Sequence, residues 1–330
     1  MLKEISIEIT RKCPNKCLHC SSSSTVDRDE LIPFEVFEST IKSGKTLGLK
    51  TVCLSGGEPF IHKDILKIIN CANENGLNVF VYTSGITVNK SGKFTSISES
   101  ILKEIRNKVT KLIFNIEAAD PFIYDEIMGT QGCLPLLVKS IKRARAHDIL
   151  AEAHFVPMKL NYGEIDKVIN LSSKLGIERV SFLRLVLHGR ADVNAKQLSL
   201  DDEELMSLKV KLSEAKEKYG SLIRIGVPLS GKDCSHDCEA AKGKLNIRYD
   251  GKVFPCEVFK NKKISIVGSI GADSIYDNSL EEIYKNSRYL DNIRIAMNEY
   301  ANQSVQEDCI GQYLIAKEGN KKKRSEFDVN

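Results

Sequence analysis

The chain opens on a strict alternation. Ile5, Ile7 and Ile9 alternate with Glu4, Ser6 and Glu8, a period of two that predicts a strand with one apolar face over residues 4–9. Short runs rich in β-branched and aromatic residues recur at 50–54, 78–82, 111–116, 150–156 and 179–186. Between them, apolar residues return with helical spacing at 34–47, 63–75, 97–107, 134–147 and 164–175. Gly48, Gly76 and Gly176 follow three of these helices, where a glycine closes the last turn. Strands alternating with crossover helices predict a parallel sheet in an α/β fold. Further on, 200–219 reads as a helix with a charged face and 222–227 as a short strand. The alternating run from Leu245 to Tyr249 then meets Asp250-Gly251, a hairpin signal.

The predicted strand ends collect the polar and sulfur-bearing residues. Cys13, Cys17 and Cys20 fall within eight residues directly after the first strand. Thiolates are soft ligands that select zinc, copper(I) or iron–sulfur clusters. Three close cysteines are one short of a closed structural zinc site. On spacing alone, a zinc site with a distant fourth ligand, a cluster, or a group of buried thiols all remain open. Gly56-Gly57 follows the second strand, Thr83-Ser84 the third, and Asn115 and Glu117 the fourth. His154 lies late on the fifth strand and Arg184 on the sixth. In parallel α/β architectures chemistry gathers at the carboxyl ends of the strands.

Composition narrows the class. The 330 residues carry 48 basic and 44 acidic side chains, a balance of +4 that gives no argument for a nucleic-acid partner. No apolar run reaches the length of a membrane span, and no secretory signal precedes the first strand. Ten cysteines in that context indicate metal or redox chemistry in a reducing cytosol rather than a disulfide scaffold. Residues 317–330, which include Lys321-Lys322-Lys323-Arg324, read as a solvated charged tail.

The pattern Cys13-x3-Cys17-x2-Cys20, followed about forty residues later by Ser55-Gly56-Gly57-Glu58-Pro59, resembles the radical S-adenosylmethionine (SAM) superfamily. The resemblance covers roughly residues 1–190. It implies a partial (β/α)6, TIM-like barrel. It further implies that Cys13, Cys17 and Cys20 hold a [4Fe–4S] cluster whose open iron binds the amino and carboxylate groups of SAM. One electron from the cluster would cleave SAM to a 5′-deoxyadenosyl radical, with a flavodoxin- or ferredoxin-type protein as reductant. His19 stands where the family usually has an aromatic residue near the adenine. Gly56 and Gly57 would let backbone approach the methionine part, and Glu58 would accept its amino group. Ser84, Asn115 and Glu117 match strand ends that contact the methionine carboxylate or the ribose. Arg184, basic within an apolar strand, wants a carboxylate partner, either that of SAM or an internal one. Cys133 lies in a loop near the barrel mouth and is a candidate hydrogen-atom donor. His154 reads as a structural core histidine, and Cys53 and Cys71 as packing thiols.

Cys234, Cys238, Cys256 and Cys309 form a second group. Cys238 with Gly251-x4-Cys256 resembles the opening of the SPASM/twitch extension, here in its shorter twitch form. That implies a small α+β C-terminal domain over 231–316, joined to the barrel by 191–230, with one auxiliary [4Fe–4S] cluster on the four cysteines. Structural zinc would satisfy the same four thiolates. Cys234 could instead stay free, opening one iron or donating a hydrogen atom. SPASM and twitch relatives modify ribosomally made peptides or oxidise small sugars and alcohols. A peptide substrate is expected first, by crosslinking, thioether formation or epimerisation. The first strand begins at residue 3 or 4, so a separate protein would supply peptide recognition. A small-molecule dehydrogenase or mutase is the second expectation, and a non-catalytic iron–sulfur or zinc scaffold the third.

Overall fold

The structure is a computed structural model that describes residues 1–89, 91–230, 238–260, 271–301, 309–311 and 314–315. The charged 317–330 stretch and Cys234 lie outside the described residues.

The first half alternates as its sequence predicts. It runs β1 (Glu4–Thr10), α1 (Phe34–Thr46), β2 (Thr51–Gly56), α2 (Ile65–Glu74), β3 (Asn78–Thr83), a small hairpin of β4 (Ile86–Val88) and β5 (Phe94–Ser96), α3 (Glu99–Ile105) and β6 (Lys111–Asn115). Then come α4 (Pro121–Met128), α5 (Cys133–Ala146), β7 (Ala151–Phe155), α6 (Ile165–Lys174) and β8 (Arg179–Phe182). Two short helices, α7 (Arg190–Val193) and α8 (Ala195–Leu198), lead to the long α9 (Asp202–Tyr219). The chain continues through β9 (Ile223–Ile225), β10 (Lys244–Ile247), β11 (Val253–Phe254), α10 (Leu280–Asn286) and α11 (Arg288–Ala301).

Nine strands form one sheet in the order β11-β10-β1-β2-β3-β6-β7-β8-β9. Every pair is parallel except the β10–β11 hairpin. The six strands read from the alternation occupy the middle, and the later strands extend both edges. β9 adds beside β8, and β10 pairs with β1 in the register Ser6 to Asn246 and Ile7 to Ile247. One sheet therefore runs across the expected boundaries at 190 and 230.

The inside-out pattern of β1 explains the layering. Ile5, Ile7 and Ile9 are fully buried in the core shared with helices such as α1, where Phe37, Ile41 and Gly44 form the buried stripe. Each such isoleucine contributes roughly 1.5–3 kcal/mol by leaving water. The intervening Ser6 and Glu8 turn to the concave side and line a cavity there. A sheet that puts its apolar side against helices and its polar side inward forms a barrel with a chemically equipped interior. Gly48, Gly76 and Gly176 all adopt positive φ after their helices.

Within the alternating first half, two elements escape the sequence reading. The eight-residue α4 has too few turns to show a period, although Asp120 caps it by accepting from the amides of Phe122 and Ile123, and Pro121 opens it. The β4–β5 hairpin is too short for its alternation to stand out. The sixth strand is also shorter than expected: it ends at Phe182, so Arg184 sits in the following loop. Among the described residues no helix is long and apolar enough to cross a membrane.

Candidate active site

The cysteine loop is tied down along its length. Arg11 donates through Nε to the carbonyl of Ser22 (2.9 Å) and through Nη1 to Glu30 (2.7 Å). The amides of Lys16 and Leu18 donate to the carbonyls of Met128 and Ile127 at the end of α4. From the other side, Arg190 donates to the carbonyls of Cys17 (2.7 Å) and Ser24 (2.9 Å), and Asn194 to that of Leu18 (3.0 Å). The Arg190 amide reaches the carbonyl of Cys20. The loop thus owes its shape to elements more than a hundred residues away, which sequence spacing does not reveal.

Cys13, Cys17 and Cys20 line one cavity of about 490 Å³ together with Gly56, Gly57, Tyr82, Ser84, Asn115 and His19. The two glycines are required by close approach. A Cβ on Gly57 would stand 1.9 Å from the carbonyl oxygen of Lys12, and one on Gly56 2.2 Å from that of Thr10. The β2 end is thereby drawn against the base of the cysteine loop, with the Gly57 amide donating to Thr10 at 2.6 Å.

Two expected cofactor contacts have internal partners. Glu58 is fully buried, and both carboxylate oxygens are engaged by this chain. It accepts from Thr83 Oγ1 (2.7 Å), Ser84 Oγ (2.6 Å) and the amides of Ser84 (2.9 Å) and Phe60 (3.2 Å). Burial pushes its carboxyl up, and the four donors oppose that. Glu58 thus clamps the β3 end that carries Ser84. Glu117 is likewise fully buried, receiving the Val156 amide (3.0 Å) and lying 3.4 Å from Nε2 of His19. Its role is to orient His19, and Asn115 Nδ2 lies 3.5 Å from its Oε1.

Two further candidates do not line this cavity. Arg184, past the end of β8, lines a smaller depression with Leu185, Leu187 and Leu200. Cys133 is fully buried at the start of α5, its Sγ 3.7 Å from Oδ1 of Asn15, so Asn15 stands between it and the cavity wall. Burial pushes that thiol up to about 12. His154 does line the cavity, edge-on to Tyr82 with ring centroids 5.1 Å apart. Burial, with Arg224, Lys111 and Lys244 nearby, lowers its imidazole to about 3.

The cavity wall also holds residues that the alternation does not single out. Arg190, Arg224 of β9, Lys244 and Asn246 of β10, and Glu257 all face the same cavity. Their signal in the sequence was present but unreadable: a polar residue in a short strand faces a site only once the sheet order is known. Glu257 directly follows Cys256, so the cavity spans from the first cysteine group to the neighbourhood of the second.

The residues suit iron–sulfur and nucleotide cofactors. Cys13 and Cys17 are pushed up by burial and then by neighbouring thiols, an accumulation of potential negative charge that a cationic cluster would relieve. Cys238 and Cys256 repeat this: burial is the main cause for each, and the neighbouring Cys309 raises both. Around the first group, Asn15 Nδ2, His19 Nδ1 and Ser24 Oγ are buried without hydrogen-bond partners among the described residues. Such atoms are rare in native proteins and point to a bound polar molecule. Among the described residues no three His, Cys, Asp or Glu side chains are arranged to hold a single metal ion.

A half-barrel of parallel strands with three cysteines and a Gly-Gly turn at its carboxyl rim defines a class of SAM-dependent iron–sulfur enzymes. The radical SAM superfamily model matches residues 7–172, half of the chain, and the chain belongs to that superfamily. The model of SPASM, an iron–sulfur cluster-binding domain, matches residues 238–310. The protein is thus a radical SAM enzyme with an auxiliary iron–sulfur domain. A PqqA peptide cyclase of Rhizobium meliloti is 25% identical over 285 residues, covering 85% of this chain and 72% of the relative. An AdoMet-dependent heme synthase of Methanosarcina barkeri is 25% identical over 312 residues, covering 88% and 84%. Among solved structures, Streptococcus suis SuiB bound to S-adenosylmethionine superposes with a TM-score of 0.69 at 16% identity, over 90% of this chain and 68% of that one. anSMEcpe with bound AdoMet and Cp18Cys peptide gives 0.66 at 15% identity, over 89% and 82%. These likenesses show a shared fold.

Proposed function

We propose that this radical SAM enzyme modifies a ribosomally made peptide, abstracting a hydrogen atom to set up a crosslink, thioether or epimerisation. The observation that carries the reading is the single cavity that begins at Cys13, Cys17 and Cys20 and ends at Glu257, beside Cys256. A substrate held there meets the first sulfur-ligand group directly, and the second adjoins the wall through Glu257. When bound, the cofactors supply a one-electron reductant and a 5′-deoxyadenosyl radical that takes a hydrogen atom from the substrate.

In this reading Cys13, Cys17 and Cys20 hold the SAM-binding [4Fe–4S] cluster. Gly56, Gly57, Ser84, Asn115 and His19 surround SAM, with Glu58 and Glu117 fixing them from behind. Cys238, Cys256 and Cys309, with Cys234, hold one auxiliary [4Fe–4S] cluster. Residues 1–190 serve as the SAM domain, 191–230 as its connection and 231–316 as the auxiliary domain. A flavodoxin- or ferredoxin-type protein supplies electrons, a separate protein assists peptide recognition, and the enzyme works in the cytoplasm.

The peptide substrate is supported by the peptide cyclase relatives and by peptide-bound structures of the same fold. A small-molecule substrate is the second reading, favoured by the heme synthase relative at equal identity. Anaerobic reconstitution with SAM and dithionite tests the enzyme: 5′-deoxyadenosine must form. Co-expression with short peptides encoded beside the gene tests the substrate. Mass spectrometry should show a peptide that has lost hydrogens in a crosslink or thioether, and chiral amino-acid analysis should show a D-residue where the mass is unchanged; peptides unmodified by both measures alongside a turned-over small molecule would favour the second reading.

A further inference from the structure

Where the cavity wall crosses from β1 to β10, two buried side chains each keep one polar end in hand. Glu8 is 3% exposed and Asn246 1%, and both line the cavity. They are neighbours by register, since Asn246 stands opposite Ser6 and Glu8 is the next residue of β1 on that side. Glu8 Oε1 accepts from Ser22 Oγ (2.6 Å) and from Lys260 Nζ (2.5 Å). Asn246 Nδ2 donates to Glu257 Oε2 (2.8 Å). The ion pair of Lys260 with Glu257 and a hydrogen bond from Lys260 Nζ to Ser22 Oγ (2.9 Å) complete a buried network.

The other ends are unused. Glu8 Oε2 and Asn246 Oδ1 are buried without partners among the described residues. The assignment of the amide follows from chemistry, because a carboxylate accepts, so the Asn246 nitrogen must face Glu257 and the oxygen is left over. Two spare acceptors call for a donor. Two carboxylates also converge on the one ammonium of Lys260, which favours a cationic donor. Lys244 on the same strand is taken by Glu4 at 2.6 Å.

The geometry points to a donor-binding subsite, formed by Glu8 and Asn246 and held in place by Lys260, that takes an ammonium, hydroxyl or amide N–H group of a bound ligand. This rests on reading the cavity as the seat of SAM and substrate, and either could bring the donor. Lys260 and Ser22 acquire the role of positioning residues, because they fix which oxygen of Glu8 faces inward.

The test uses the full chain, reconstituted anaerobically, with Glu8→Gln and Asn246→Ala. In Glu8→Gln the amide oxygen must turn to Lys260, which presents an N–H₂ to the cavity and reverses the subsite's polarity. SAM affinity is read by equilibrium dialysis without reductant. Ethylammonium contact is read by saturation-transfer NMR on SAM-saturated protein. A weakening of SAM by about tenfold or more in both variants supports the subsite with SAM as donor. Unchanged SAM affinity, with ethylammonium contact seen in the parent and lost in both variants, supports it with the substrate as donor. Variants that bind both probes like the parent, an effect confined to Glu8→Gln, or a parent that shows no ethylammonium contact while SAM binding is unaffected, overturn it. If Glu8→Gln does not fold, as read by circular dichroism, Glu8→Ala, which removes the acceptor and leaves Lys260 paired with Glu257, takes its place. A parent that binds no SAM refutes the reading of the cavity, and the ethylammonium arm still decides the subsite.

Discussion

Arg190 donates from Nε to the carbonyl oxygen of Cys17 at 2.7 Å, and the same guanidinium reaches Ser24 at 2.9 Å. One side chain from α7 therefore spans the cysteine loop across its second and third thiols. Hydrogen bonds from a charged donor contribute about 1.5–3 kcal/mol each, and both are lost together if the guanidinium goes. Arg190→Gln should lower the melting temperature of the apo-protein by several degrees. It should also reduce iron taken up on reconstitution toward the content of the auxiliary cluster alone. Iron and sulfide assays with EPR check this; parental iron content and melting would show that the clamp is dispensable.

Gly57 leaves no room for a side chain. With a Cβ 1.9 Å from the Lys12 carbonyl, Gly57→Ala must push β2 away from the loop. The expected cost is at least about 3 kcal/mol, at the upper end for a single substitution. Gly163→Ala, where a Cβ would meet nothing within 4 Å, is the control and should melt like the parent. Chemical denaturation of the two variants measures the difference.

His154 should make the fold acid-sensitive. Its folded value is lowered to about 3, by burial first and by Arg224, Lys111 and Lys244 after it. The unfolded chain titrates near the ordinary value of about 6.5, so between these limits the unfolded state binds the extra proton. Stability is whole above pH 6.5 and falls as pH drops toward 3. His154→Gln should flatten that part of the curve of melting temperature against pH, and an identical slope would remove His154 as its origin.

The two cysteine groups should be separable. Replacing Cys13, Cys17 and Cys20 together by alanine should remove one cluster's iron and abolish 5′-deoxyadenosine formation while the second cluster persists. Cys256→Ala should remove the other and leave uncoupled SAM cleavage with loss of product. Iron analysis and product chromatography on both variants are the measurements, and unchanged iron in the triple variant would contradict the ligand assignment.

Glu58 and Arg184 show how far residue identity carries. Both are charged and both lie near predicted strand ends; the sequence offers Glu58 for the amino group of SAM and Arg184 for its carboxylate or an internal one. In the fold Glu58 is enclosed by Thr83, Ser84 and Phe60, and Arg184 lies in a loop beside another depression. Which atoms surround a carboxylate depends on contacts made 25 and 26 residues away, to Thr83 and Ser84, and period and spacing do not encode those contacts.

The alternation of β1, the helix stripes and the clustered cysteines were determined by the chain itself, because a period of two or 3.6 and a ligand spacing are local properties. The tertiary structure alone decided that β10 lies against β1, which brings Asn246, Glu257 and Lys260 to Glu8 and the cysteine loop. Parallel pairing joins strands through long connections, so its order is set by how the buried faces fit together and is written in no single stretch of sequence.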